Sequence, residues 1–285
     1  MQDFKHVIAP CPVEIMQIPK FKNIRIEINS DCNRKCVFCP RGTDTTRWIN
    51  GGQDGKKQKL ITKRMETDDV ISLLDQNVNQ GFNATVSFVF YNEPVLDDRL
   101  VFFSEYAKGK NSRVILTTNG DQMLADPLLT KEIFRVNDHV CISLYDYKDM
   151  VGRKNLMDKW DAYLHGEGIK KHQYRLTGDY QNFGNRAGLI DRKDKFMNKA
   201  DLDKKVPIKA NCRKIHSKLN IRYDGEVPIC CDDSHVRHSL GNVLKTSISE
   251  VWYGEKMMEA TRLLAQGARH AMAPCSKCVR SIVPV

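Results

Sequence analysis

Three cysteines, Cys32, Cys36 and Cys39, fall within the run DCNRKCVFCPRG (31–42), close enough for one metal centre to hold all of them. A closed structural zinc site calls for a fourth protein ligand. Three thiolates suit instead a [4Fe-4S] cube, in which three irons are held by cysteine and the fourth is left open as a Lewis acid. A second set lies towards the other end of the chain: Cys212, then Cys230, then the pair Cys275-x2-Cys278. Four thiolates close a cubane completely, and a fully ligated cluster serves electron transfer because it cannot take a substrate at iron without losing a ligand. A tetrahedral zinc site built from two hairpin cysteines and a Cys-x2-Cys pair is the alternative for this second set.

The chain has ten cysteines in 285 residues, and they cluster instead of spreading as spaced disulfide partners would. That pattern belongs to metal ligation in a reducing compartment. No run of about 18 apolar residues exists, so a membrane-spanning helix is excluded. The opening MQDFKHVIAPCPVEIMQIPK lacks the long apolar core of a secretory signal, and the expected location is the cytoplasm. The net charge is +10, with the excess in GRKNLMDKW, GIKKHQYR, DRKDKFMNKADLDKK and CRKIHSK. Such an excess suits an anionic small substrate or an acidic electron-donor protein, or is a solvated surface. Acidic residues interrupt the basic runs and no RNA-binding fingerprint accompanies them, which disfavours nucleic acid.

Alternating strand and helix patterns must position these cysteines. NIRIEINS (23–30) reads as a strand feeding the first cysteine loop, and TDDVISLLDQNVNQGF as a helix capped by Thr67 and ended by Gly81. Further strands are read in ATVSFVFYNEP, SRVILTTNG, HVCISLY and KHQYRLT. Helices lie between them in DRLVFFSEYAKGK, PLLTKEIFRV and the stretch from Tyr147 to Gly168. This βα alternation predicts an α/β fold with parallel strands, either a barrel or an open sheet. The rhythm breaks near residue 191. There CRKIHSKLNIRYDGEVPICC reads as two strands joined by a Tyr-Asp-Gly-Glu turn, and SISEVWYGEKMMEATRLLAQG as one capped helix. INGGQDGKKQKLITK (49–63) is a polar, glycine-rich loop.

The C-x3-C-x2-C spacing after a strand, with aromatic Phe38 before the last cysteine, resembles the signature of the radical S-adenosylmethionine (AdoMet) superfamily. In that family a [4Fe-4S] cluster reduces AdoMet, and the resulting 5′-deoxyadenosyl radical takes a hydrogen atom from the substrate. YNEP (91–94) resembles the family's Gly-Glu-Pro element, which makes Glu93 the expected acceptor for the AdoMet ammonium group; Tyr91-Asn92 departs from the glycines common there. TTNG (117–120) and ISLYD (142–146) resemble the elements after the next strands, with Asn119 and Ser143 as expected AdoMet contacts. The second cysteine set, with DGEVPICCDD, LGNV and SISEVW, resembles the twitch domain, a shortened SPASM domain that holds one auxiliary [4Fe-4S] cluster. DYQNFGNRAG (179–188) resembles a run common before such domains, and its Arg186, Asp179 and Tyr180 are substrate or catalytic candidates.

The resemblance implies a partial (β/α)6 TIM-like barrel with a small C-terminal α+β iron-sulfur domain: residues 1–21 a leader, 22–190 the barrel and 191–285 the auxiliary domain. Cofactors are then two [4Fe-4S] clusters and AdoMet, and the reductant a flavodoxin or ferredoxin. The implied reaction is a two-electron oxidation of a polar small molecule, sugar-like or aminocyclitol-like. Radical modification of a ribosomally made peptide (crosslinking, thioether formation or epimerisation) is the alternative, and a non-enzymatic metal- and RNA-binding protein that of another class. Of the remaining cysteines, Cys11 and Cys141 read as small buried hydrophobes. Cys231, beside a ligand, is a spare ligand or hydrogen donor only if strand alternation does not turn it away.

Overall fold

The computed structural model describes residues 17–34, 36, 39–43, 63–144, 150–176, 187, 189 and 212–278. Its first five strands are β1 (Asn23–Ile26), β2 (Thr85–Ser87), β3 (Ile115–Thr118), β4 (His139–Leu144) and β5 (His172–Leu176). The crossovers carry α1 (Thr67–Asn79), α2 (Leu100–Gly109), α3 (Asp121–Ala125), α4 (Pro127–Val136) and α5 (Met150–Gly166). Parallel neighbours cannot be joined by a tight hairpin, and the helices supply the required return. A sixth strand, β6 (Lys218–Ile221), pairs parallel with β1 on the side away from β2. The ladders β6-β1-β2 and β3-β4-β5 are linked by a parallel bridge between Val86 and Val114. All six strands thus form one parallel sheet. No ladder joins β5 to β6 among the described residues, in keeping with the partial barrel that the resemblance implies.

Burial explains the strand sequences. Ile24, Ile26, Val86, Leu116, Ile142, Leu144, Leu219 and Ile221 are almost wholly withdrawn from solvent in one apolar cluster. Parallel strands covered on both faces need such near-continuous apolar runs, and VCISL of β4 is buried throughout. In α4, Asp126 Oδ1 accepts from the Leu129 N–H at 3.0 Å and Pro127 takes the first turn, where its missing N–H costs nothing.

The C-terminal region adds an antiparallel pair, β7 (Glu226–Pro228) and β8 (Ser239–Asn242), and three helices, α6 (Ile248–Trp252), α7 (Glu255–Ala265) and α8 (Ala273–Ser276). Three details differ from the sequence expectations. The first strand of the expected hairpin is β6, which joins the barrel sheet, while the second pairs with β8. The Tyr-Asp-Gly-Glu turn between them does form, with Gly225 at φ +80°; a Cβ there would lie 2.4 Å from Leu244 Cγ. The expected single helix is broken at Tyr253-Gly254, and its first piece starts with a Ser247/Glu250 capping box. Thr67 is the first residue of α1 and not its cap; its hydroxyl accepts from Arg99 at 3.0 Å.

The C-terminal region is fastened to the barrel at α1. The Ile248 N–H donates to Gln76 Oε1 at 2.8 Å and the Ser249 N–H to Gln80 Oε1 at 2.9 Å. Trp252 packs edge-on against Phe21, which stacks on Phe82 at 4.4 Å. Burying each such ring contributes about 1.5–3 kcal/mol.

Candidate functional site

Cys32, Cys36 and Cys39 lie on the loop that leaves the C-terminal end of β1, and all three are partly buried. A backbone bond from the Cys39 N–H to the Cys36 carbonyl (2.9 Å) closes the second half of the loop. The Arg34 N–H donates to Cys32 Sγ at 3.5 Å. Burial pushes the Cys32 thiol up to about 11; the Arg34 N–H and the Arg41 charge pull it down, while Glu93 and Cys39 push it up. A sheltered thiol of this kind is released from its proton by a metal, so the donor set fits an iron cluster.

Two residues between the first pair of cysteines tie the loop to the strand ends. Arg34 makes a two-pronged ion pair with Asp121, with Nε 2.8 Å from Oδ2, and reaches the carbonyls of Ser143 and Asn119 at 3.3 Å each. Asn33 donates to Asp121 at 3.0 Å and accepts from the Asn119 amide at 2.6 Å. Behind the loop, buried Arg41 donates to the Ser30 carbonyl at 3.0 Å through one nitrogen and 3.1 Å through another. None of Asn33, Arg34, Arg41 and Asp121 was expected from sequence. The available signal was a basic residue inside the cysteine spacing and an acid directly after TTNG.

Glu93 sits in the loop after β2, capping the short 3-10 turn Pro94–Leu96, and is 4 % exposed. Its Oε1 accepts from Thr118 Oγ1 at 2.6 Å and from the Val95 N–H at 3.2 Å, and its Oε2 from the Asn119 N–H at 2.7 Å. Burial raises its carboxyl to about 7, against the pull of these donors and of Arg34. A carboxylate offers about four acceptor positions, so three internal bonds leave room for an external donor. The loops after β1, β2 and β3 thus meet the end of β4 at one end of the sheet, bringing Cys32, Glu93, Asn119 and Ser143 together. The Asn119 side chain is engaged by Asn33 and by the Asp121 N–H (2.9 Å), and Ser143 is buried in β4. Phe38, Asp179, Tyr180 and Arg186 lie outside the described residues, as do Cys11 and residues 49–62.

Within the second set, Cys212 and Cys278 stand near Cys275. Cys275 lies in α8 and Cys278 two residues past its end, which is closed by the Cys278 N–H to the Cys275 carbonyl (3.2 Å). Buried Arg269 donates to the Cys278 carbonyl at 3.0 Å. Burial pushes the Cys275 thiol up to about 12, and Cys278 and Cys212 push the same way, so these three feel one another. Burial also holds the Cys230 thiol well above its ordinary range, although the Asp232 N–H donates to its sulfur at 3.4 Å. The nine described cysteines are all thiols, Cys141 buried in β4 as expected. Cys230 and Cys231 stand beyond the end of β7, in a turn, so strand alternation does not govern where Cys231 faces. Among the described residues no three His, Cys, Asp or Glu side chains converge on a point that could hold one metal ion.

Residues 212–279 match the SPASM family, an iron-sulfur cluster-binding domain. The four cysteines of the second set all fall within this match. Over 267 residues the chain is 26 % identical to the S-adenosyl-L-methionine-dependent 2-deoxy-scyllo-inosamine dehydrogenase of Niallia circulans, covering 90 % of this chain and 92 % of the relative. The crystal structure of BtrN in complex with AdoMet and 2-DOIA has the same fold, at a TM-score of 0.70 and 21 % identity over 94 % of this chain and 96 % of that one. An open conformation of BtrN matches at 0.62 and 20 % identity, over 90 % and 92 % of the two chains. The resemblance drawn from the cysteines is met. The chain is similar through most of its length to an AdoMet-dependent dehydrogenase, and the region that matches the SPASM family follows most of a partial barrel. No helix among the described residues is long and apolar enough to cross a membrane.

Proposed function

We propose that the protein is a radical AdoMet oxidoreductase that oxidises a ring alcohol of an aminocyclitol-like or sugar-like molecule to a ketone. The observation that carries this reading is the 26 % identity to an AdoMet-dependent aminocyclitol dehydrogenase, which extends through the barrel and the SPASM domain alike. It favours a small-molecule substrate over a peptide.

In this reading residues 22–190 form the barrel unit, completed by β6 (Lys218–Ile221), and the rest of 191–285 forms the auxiliary unit, with 1–21 a leader. Cys32, Cys36 and Cys39 hold the AdoMet cluster; Cys212, Cys230, Cys275 and Cys278 hold the auxiliary cluster. When bound, the cluster and AdoMet supply a 5′-deoxyadenosyl radical for hydrogen abstraction, and the auxiliary cluster supplies an acceptor for the second electron. The protein's own work is to bind, orient and dehydrate. Glu93 receives the AdoMet ammonium group, Asn119 and Ser143 contact AdoMet, and Phe38 is a further cofactor-binding candidate. Arg186, Asp179 and Tyr180 are the candidates for holding the alcohol and taking its proton. The net charge of +10 steers an acidic flavodoxin or ferredoxin to the surface, and a cytoplasmic location accords with the thiol content.

The ammonium role gives a pH signature. The Glu93 carboxyl, raised to about 7 by burial, must be ionised to receive the ammonium. AdoMet affinity is therefore full above that value and falls as pH drops through it, by up to about tenfold per unit. Glu93→Gln should weaken binding at pH 8 and flatten the profile between pH about 5.5 and 8. Calorimetric titration of the reconstituted protein measures this, and a wild-type profile already flat would remove Glu93 from that role.

The function itself is tested by incubating anaerobically reconstituted protein with AdoMet, a reductant and 2-deoxy-scyllo-inosamine. The expected result is about eight irons and eight sulfides per chain, with 5′-deoxyadenosine and ketone formed in equal amounts. Deoxyadenosine without loss of the alcohol would reject this substrate class. Ketone formation by protein lacking the second four irons would reject the electron-acceptor role.

A further inference from the structure

The turn after β7 does more than carry Cys230. It is stiffened from within by buried Asp233, which accepts from the Arg237 N–H and Nε at 3.2 Å each and from the His238 N–H at 3.0 Å. The Asp233 N–H in turn donates to the Cys230 carbonyl at 3.1 Å. This braced turn then touches both loops of the AdoMet half. The Tyr91 hydroxyl donates to the Cys231 carbonyl at 2.7 Å. His235 Nε2 lies 3.2 Å from the carbonyl of Pro40, the residue after Cys39.

Tyr91 is itself held firmly. It is 8 % exposed, Phe90 packs edge-on against its ring at 4.6 Å, and its N–H donates to buried Glu27 at 3.0 Å. Glu27 also accepts from the Tyr223 N–H at 3.4 Å, at the turn that leads from β6 towards Cys230. Two residues past Tyr91 is Glu93, whose N–H donates to the Asp31 carbonyl at 2.7 Å beside Cys32. A three-residue segment therefore contacts the first cysteine loop at one end and the second at the other. This gives a physical reason for tyrosine where glycine is common in YNEP: glycine offers no hydroxyl to the far loop.

We infer that Tyr91 and His235 are positioning residues that lock the auxiliary-cluster turn against the AdoMet-cluster loop, so that AdoMet cleavage is coupled to completion of the oxidation. The inference rests on the second cysteine set holding an iron cluster. A hydrogen bond to the carbonyl beside a cluster ligand fixes where the ligand's backbone dipole points, and outer-shell bonds of this kind tune a metal site.

The test uses full-length, anaerobically reconstituted Tyr91→Phe, with His235→Gln as a second variant that keeps a donor and His235→Ala as one that does not. Auxiliary-cluster spectra are read by electron paramagnetic resonance in a Cys32→Ala/Cys36→Ala/Cys39→Ala background, where only the second cluster contributes. Tyr91→Phe and His235→Ala should retain iron, melting temperature and AdoMet cleavage, yet shift the auxiliary signal and its midpoint potential. With 2-deoxy-scyllo-inosamine as probe, deoxyadenosine spent per ketone formed should rise about five- to tenfold, the scale of one lost hydrogen bond. His235→Gln should stay near wild type. If the background protein carries auxiliary iron and neither variant moves its signal or potential, the positioning role is overturned while the cluster reading stands. Background protein without auxiliary iron overturns both.

Discussion

AdoMet cleavage is expected to fall to background when Cys32, Cys36 or Cys39 is replaced by alanine, one at a time. Each cysteine is one of only three protein ligands proposed for that cluster, and two thiolates do not hold a cubane against loss of iron. The effect should exceed the about 10–100-fold loss typical of changes to outer-shell partners. Iron should drop from about eight to about four per chain, because the second set is untouched. The fold should survive, since the loop stays tied by Arg34 to Asp121 and by Arg41 to the Ser30 carbonyl, neither of which uses a cysteine side chain. The checks are 5′-deoxyadenosine release under reducing conditions, iron content and a melting curve. A Cys36→Ala protein that cleaves AdoMet at the wild-type rate would remove this loop from the chemistry.

Replacing Cys275 and Cys278 should have the complementary outcome: ketone formation at background with AdoMet cleavage still measurable. Cys275 lies in α8 and Cys278 just past its end, and Cys278 and Cys212 both stand close enough to raise the Cys275 thiol. Loss of two of four ligands should release the auxiliary iron, again leaving about four irons per chain. A substrate that has lost one hydrogen atom still has a second electron to give up, and with no acceptor at hand the oxidation stops half-way. Some loss of stability should accompany the change, because metal binding and folding are linked in a region this small. Deoxyadenosine and ketone measured on the same sample decide the matter. Undiminished ketone after the iron is lost would leave the second set a structural staple.

Much of the site was legible because its chemistry is written in local spacing. C-x3-C-x2-C, the acid of YNEP and the Asn of TTNG each follow a strand, and parallel strands deliver such loops to one end of a sheet. The clamp was not legible, because Asn33 and Arg34 meet Asp121 across more than 80 residues of sequence. The basic residue inside the cysteine spacing and the acid after TTNG are each visible, but no local pattern pairs them across two strands. The β6 strand was misplaced for the same reason. LNI followed by a Tyr-Asp-Gly-Glu turn is the pattern of a hairpin, and nothing in it reveals that the free edge of β1 is the better partner. Tyr253-Gly254 broke a helix that its apolar spacing would have continued, since a Cβ at Gly254 would sit 2.4 Å from the Glu250 carbonyl oxygen.

The pairing of β6 with β1 also constrains how the chain is made. The two strands are separated by roughly 200 residues, so their contact is among the most non-local in the molecule and pays its loop-closure entropy late. During synthesis β1 leaves the ribosome early and keeps one edge unpaired until β6 has been translated. An open parallel edge is a site of mispairing between nascent chains. The iron-sulfur region is therefore no detachable appendage. The strand that protects the barrel's first edge arrives just six residues after its first thiol, Cys212.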